Sequence, residues 1–253
     1  MRLALISDIH GNLVSLEAVL RVLDREELDG IVCLGDVAAT GPQPRQVIEL
    51  MKARRIPVVL GNADAWLINP NPSTEGEDEN ARKIVELDLW CRNQLAPNQL
   101  EYLSSLPATH EVSLGPGLKM LCCHGSPHSA TDRLLATTEI SDLQRMLSGV
   151  TAEVVACGHT HMQMLRRYMN QVILNPGSVG MPYDVIPGTP GVNPADARIR
   201  NPPWAEYAII HSTNRVLSID IRRTPVDCEA VIQAAFQSTM PDPDWWTRDW
   251  IIA

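Results

Sequence analysis

Residues 2–12 read RLALISDIHGN, and the order of residue types along them decides the fold class. Residues 3–7 run apolar up to Ser7 without polar alternation, the pattern of a strand covered on both faces. Asp8 and His10 follow at once. Gly11 then lets the backbone turn sharply, and Asn12 stands where a side-chain oxygen caps a helix. In that helix Leu13, Leu16, Leu20 and Leu23 recur at three- and four-residue steps, giving one apolar stripe to lay against a sheet. Buried strand, polar turn and covering helix are the repeating unit of an α/β fold.

Working outward, short apolar runs at residues 31–34, 58–60, 119–123 and 154–157 repeat the arrangement, each ending where a polar cluster begins. A helix is predicted after Pro44, and further strands at 172–174, 205–211 and 216–221. Thr224-Pro225 reads as the start of a helix with Cys228, Val231, Ile232, Ala235 and Phe236 on its apolar face. Two stretches interrupt the alternation. Residues 69–80 are rich in Pro, Asn and acidic groups, and two polar-faced helices follow to residue 106, which makes 69–106 a predicted helical cap beside the site. Residues 176–203 hold many prolines and glycines and are long for a loop in a compact domain. The end of the chain, 241–253, carries Trp245, Trp246 and Trp250, and three tryptophans so close together need burial on this chain or on a partner, leaving a homodimer open.

The 253 residues, 45% hydrophobic, suffice for one large core, and a single domain over 1–253 is the simpler expectation. A net charge of −9 and a pI near 5.2 argue against duplex nucleic acid, whose binders show a basic face. No run is long enough to cross a bilayer, so no membrane is expected. The spacing of Cys33, Cys91, Cys122, Cys123, Cys157 and Cys228 fits neither a disulfide framework nor a zinc-thiolate site; the expectation is a reduced, cytoplasmic protein that uses them as small core residues.

Asp8, His10, Asp36, Asn62, His124, His159 and His161 each sit just past a predicted strand, where open α/β sheets place their sites. Carboxylate and imidazole in this mixture suit manganese, iron, zinc or nickel far better than calcium. Glycines beside them, among them Gly35, Gly61 and Gly158, let the backbone leave a strand sharply. One D-x-H or one strand-end GD is unremarkable. GHTH at 158–161 is more telling, because two imidazoles two residues apart rarely serve packing.

The order SDIHGN, GDV, GNAD, CHGSP and GHTH resembles the calcineurin-like metallophosphoesterase superfamily over residues 2 to about 180. The stretch from Trp90 to Leu95, LSSLP at 103–107, HGSP and NPGSVG at 175–180 resemble its small prokaryotic branch related to diadenosine tetraphosphatases. The resemblance implies two mixed β-sheets packed as a sandwich with helices on the outer faces. It also implies two divalent ions, manganese first: Asp8, His10 and His161 at one, Asn62, His124 and His159 at the other, with Asp36 bridging and Asp36, Asn62 and His124 positioning hydroxide and phosphate. Many members carry GNH at the third motif, where the histidine serves the leaving group; this chain has Ala63 there. Good leaving groups are therefore favoured, since protonation typically contributes about 10²–10⁴-fold. Asp64 and His128 are the candidate replacements, set against a loop acceptor and a solvated loop histidine respectively. Arg133 is a candidate phosphate contact or a solvated ion-pair partner. Ser178 reads as part of a tight turn, and His110 and His211 as ordinary polar positions.

The expected function is hydrolysis of a phosphodiester or phosphoanhydride in a small phosphorylated substrate, nucleotide-like or a dinucleoside polyphosphate. A non-catalytic scaffold on the same fold and a protein phosphatase are the competing readings; all seven ligands are present, which disfavours the scaffold.

Overall fold

The apolar run that opens the chain forms β1 (Arg2–Ile6), and its side chains part between two cores. Leu3 and Leu5 point into one cluster, Ala4 and Ile6 into another. That explains the absence of polar alternation. A computed structural model describes residues 1–73, 78–185 and 199–250.

In chain order, β1 is followed by α1 (Leu13–Leu23), β2 (Gly30–Cys33), α2 (Pro44–Ala53), α3 (Asn62–Ile68), α4 (Glu79–Gln94) and α5 (Pro97–Ser104). Then come β3 (Thr109–Gly115), β4 (Leu118–Cys123), α6 (Ile140–Met146), β5 (Val154–Ala156), β6 (Met164–Tyr168) and β7 (Gln171–Asn175). The short β8 (Asp184–Val185) and β9 (Ile199–Arg200), then β10 (Trp204–Thr213), β11 (Val216–Pro225), α7 (Cys228–Gln237) and α8 (Pro243–Thr247) complete the elements. Two mixed sheets result, ordered β11-β10-β1-β2 and β3-β4-β5-β7-β6, with β8 and β9 as a separate pair. β1 and β2 run parallel, as do β4, β5 and β7, while the flanking pairings are antiparallel.

The sheets face each other through Leu3, Leu5, Val32, Ala208 and Ile210 on one side and Met120, Cys122, Val154, Ala156 and Leu174 on the other. The outer face of the first sheet is covered by the helices other than α6, and the outer face of the second by α6 through Leu143 and Met146. Asn12 caps α1 as expected, its Oδ1 accepting from the Ser15 amide at 3.1 Å. All six cysteines are free and buried. No helix of the described residues is long and apolar enough to span a membrane.

Several expectations need correction. Residues 58–60 form no strand; a single bridge joins Val58 to Cys33, because Pro57 has no N–H and the Leu60 amide turns to the Pro107 carbonyl. Thr224-Pro225 ends β11 instead of starting a helix, and α7 begins at Cys228, capped by Asp227 through the Ala230 amide at 3.0 Å. Phe236 is exposed rather than on the apolar face. α3, β3 and β6 were not expected at all; β3 and β6 are edge strands whose half-exposed, charged sequences carry little apolar signal. Trp246 and Trp250 are buried in this chain's own core, with ring centroids 5.8 Å apart, so these two need no partner to cover them, while Trp245 is half-buried. Residues 74–77 of the predicted cap, 186–198 of the long loop and 251–253 of the tail lie outside the described residues.

Candidate metal centre

Every parallel strand of the two sheets ends toward one place. The turn after β1 supplies Asp8 and His10, the turn after β2 supplies Asp36, and the N-terminus of α3 supplies Asn62. His124 follows β4, and His159 and His161 follow β5. These turns are tied to one another: the Asp8 and His10 amides donate to the carbonyls of Gly35 and Asp36, each at 3.0 Å, and the Gly158 amide donates to the His124 carbonyl at 2.7 Å. Ser178 belongs to the same lattice, its hydroxyl donating to the Asp8 carbonyl at 2.7 Å, which agrees with its reading as a turn residue.

The backbone at the site is held in an uncommon state. Asp8, His10, Asp36, His159 and His161 all have φ between 47° and 67°. Left-handed conformations of this kind cost of order 1–3 kcal/mol each and persist where the surroundings over-determine them, commonly at functional sites. Here they swing each side chain back over the strand end. Gly35, at φ 98°, permits the same turn where space is shortest: a Cβ there would come within 2.8 Å of His124 Nδ1 and of the Gly61 backbone.

The side chains gather in two groups, Asp8 with His10 and His161, and Asp36 with His124 and His159. All but His159 are buried. Asp36 lies between the groups, its Oδ2 3.2 Å from His124 Nε2 and 3.7 Å from His10 Nε2. Asn62 joins the second group, with Oδ1 2.9 Å from His124 Nε2. The Ala63 amide donates to Asp36 Oδ1 at 2.9 Å and fixes that carboxylate.

The tautomers follow from the partners. Nδ1 of His10, His124 and His161 contacts the carbonyls of Ala39, Leu34 and Met181 at 3.1, 2.7 and 2.6 Å. A carbonyl can only accept, so each Nδ1 carries the hydrogen and each neutral ring turns the lone pair of Nε2 inward. Nε2 of His10 and Nε2 of His161 stand 3.0 Å apart. Two lone pairs at that distance repel unless a proton or a metal cation lies with them. The donor set and its orientation therefore fit divalent ions with nitrogen and oxygen ligands.

The acid–base balance points the same way. Burial works against ionisation of Asp8 and Asp36, yet the facing imidazoles, His161 for Asp8 and His124 for Asp36, outweigh it and hold both carboxyls below the usual range. Burial likewise opposes charge on His124, but the Asp36 carboxylate overrides it and pushes the imidazole up to about 10. His10 and His159 are lowered, first by burial and then by the neighbouring imidazoles of His161 and His124. A cation held by the second group would take the place of the His124 proton.

A cavity of about 1210 Å³ opens over the two groups. Its walls include Thr40 and Asp88, the aromatic rings of Trp66, Tyr183, Trp245 and Trp246, and Arg248. Tyr183 stacks on His161 with centroids 4.5 Å apart. α8 is pinned against α4, with Trp245 Nε1 donating to Asn80 Oδ1 at 3.2 Å and Lys83 paired with Asp242.

Residues 1–193 match the family model described as the calcineurin-like phosphoesterase superfamily domain. The chain belongs to this superfamily. The superfamily's sandwich of two mixed sheets is the fold described above. This superfamily member is 25% identical over 256 residues to protein MJ0912 of Methanocaldococcus jannaschii, covering 95% of this chain and 94% of that one. Among solved structures it is similar to a metallophosphoesterase from Sphaerobacter thermophilus, at 25% identity and TM-score 0.72, covering 98% and 97% of the two chains. A protein from Pyrococcus horikoshii, PH1004, shares the fold at 18% identity and TM-score 0.75 over 95% and 94%.

Two sequence candidates stand apart from the cavity of this superfamily member. Asp64 is fully buried and accepts from the Val37 and Ala38 amides at 3.0 and 3.1 Å; it braces the turn that carries Asp36, so the loop-acceptor reading replaces the catalytic one. His128 is exposed and its Nε2 contacts the Ser148 carbonyl at 2.9 Å, away from the cluster. Arg133 is exposed and is not among the cavity walls. Conversely, sequence reasoning missed Asp88, Tyr183 and Arg248. Only Asp88 left a legible sign: it interrupts the stripe Ile84, Leu87, Asp88, Cys91, whose spacing marks one face of a helix.

Proposed function

We propose that the protein hydrolyses a phosphodiester or phosphoanhydride bond in a small nucleotide-like substrate, using two divalent ions, manganese first among manganese, iron, zinc and nickel. The observation that carries this is the pair of adjacent ligand groups with Asp36 3.7 Å from His10 of the other group, and the Nε2 lone pairs of His10 and His161 facing at 3.0 Å. Asp8, His10 and His161 would hold one ion, Asn62, His124 and His159 the other, and Asp36 both. Bound there, the ions would supply the positive charge that draws in a phosphate and makes water a nucleophile at neutral pH.

The chain's own groups do the rest. The carbonyls of Ala39, Leu34 and Met181 orient three imidazoles before any ligand arrives, so little reorganisation remains at the moment of reaction. Burial of the two carboxylates keeps water from screening them. The cavity has room for more than a phosphate, and Trp66, Tyr183 and Trp245 offer flat surfaces suited to an aromatic base or another planar group. α4, through Asn80, Ile84, Val85 and Asp88, acts as the cap that shapes this space.

The test is to strip the protein with a chelator, reload it with manganese, and assay bis-p-nitrophenyl phosphate and dinucleoside polyphosphates. Metal-dependent turnover is expected. Stoichiometric metal binding without turnover of either class would favour the scaffold reading.

A further inference from the structure

The chemistry above leaves the departing oxygen without an obvious proton donor, because Ala63 presents only a methyl group and both Asp64 and His128 point elsewhere. Among the described residues one further carboxyl lies on the cavity wall under conditions unlike the rest. Asp88 is 6% exposed, sits in the middle of α4, and accepts from the Thr40 hydroxyl at 2.9 Å. Thr40 follows Ala39, whose carbonyl orients His10, and is itself held at φ 72°. α3 and α4 pack together, so Asp88 and the Ala63 position belong to adjoining walls of one cavity.

We propose that Asp88, aimed into the cavity by Thr40, is the catalytic acid that protonates the leaving oxygen; this rests on the phosphoesterase reading given above. As water attacks phosphorus and sheds its own proton to solvent, the bond from phosphorus to the leaving oxygen breaks and its electron pair stays on that oxygen. The Asp88 carboxyl delivers its proton there. It remains as a carboxylate and regains a proton from solvent once the products leave.

Three features support the role. Thr40 alone holds the carboxyl among the described residues, and a carboxyl has more hydrogen-bonding capacity than that, so part of it is left to face the cavity. An asparagine would accept from Thr40 equally well; what an aspartate adds is a transferable proton. Burial pushes Asp88 up to about 7, and its titratable neighbours reinforce the shift: Asp36 on the β2–α2 turn and Asp64 on α3 oppose ionisation, and Cys91 on α4 brings no positive charge. No Lys or Arg of the described residues forms an ion pair with it. Divalent ions, where bound, would pull the other way, and a negatively charged phosphate held with them would offset that pull.

The experiment compares manganese-loaded wild type and Asp88→Asn on a series of aryl phosphodiesters from p-nitrophenyl, which leaves easily, to unsubstituted phenyl, which needs a proton. Metal content should be equal in the two proteins. The expected result is a loss of less than about threefold on the p-nitrophenyl ester and about 10²-fold on the phenyl ester. Asp88→Glu, which restores a proton, should recover part of the phenyl rate. A second readout needs no turnover: the infrared difference spectrum of metal-free wild type minus Asp88→Asn, near pH 6, should show one protonated carboxyl band. Equal losses across the series, no loss on the phenyl ester, or absence of that band each overturn the assignment. If wild type binds manganese yet leaves even the p-nitrophenyl ester intact, the phosphoesterase reading fails instead, and this role goes with it.

Discussion

Asp36 touches both ligand groups, so its charge should matter more than that of any single imidazole. Asp36→Asn is expected to lower phosphoesterase activity by at least about 10²-fold and to release metal, as read by kcat/KM beside metal analysis. Gly35→Ala tests the backbone that carries it. With φ at 98° and His124 Nδ1 2.8 Å from the new Cβ, the substitution should cost about 1–3 kcal/mol in chemical denaturation and disturb His124 directly. Asp88 gives a pH signature. Its folded-state value of about 7 lies above the ordinary 3.8, so the native state keeps a proton that the unfolded chain releases. The stability this contributes is complete below the unfolded value and is lost as pH rises through the folded one, at up to about 1.4 kcal/mol per pH unit between them. In metal-free protein, Asp88→Asn should therefore gain on wild type in melting temperature as pH climbs from about 5 to 8. The seven ligand candidates were legible because each has few reasons other than chemistry to follow a strand with a glycine beside it. Asp88 and Tyr183 were not, since a helix carboxylate and a loop phenol acquire meaning only from what the fold sets opposite them.

Among the elements, strands buried on both faces were plain from their unbroken apolar runs, and α1 from its leucine spacing and its cap. The edge strands β3 and β6 were hidden for the opposite reason: one face of each meets water and the sequence there follows solvent, not the sheet. α3 escaped notice because its first turn doubles as a ligand motif. α8 is where element and site meet, for the short helix buries most of Trp246 in the core, and Trp246 with its neighbours Trp245 and Arg248 also lines the cavity. Trp246→Ala should destabilise the protein by about 3–5 kcal/mol, measured by the denaturant midpoint. Because the burial is within the chain, the mass in solution should be the same for the variant as for wild type, as light scattering would show.

For the whole molecule, candidate ligands from five separate turns mean that metal would bind the folded chain and not the unfolded one. Free manganese at about 100 times its dissociation constant should add about 2.7 kcal/mol, roughly 5–10 °C in melting temperature, and Asp36→Asn should lose most of that shift. A deeper consequence comes from the position of β1 between β2 and β10. β1 takes its parallel neighbour from residues 30–33, but its antiparallel one from the far more distant residues 204–213. Until that segment arrives, one edge of β1 is bare. Pairings this distant in sequence form slowly, and the folding chain exposes an unpaired hydrophobic edge while they do. Ion capture is expected to follow that distant pairing, because Asp8 and His10 stand at the end of β1 and are held in place only once β1 is paired on both edges.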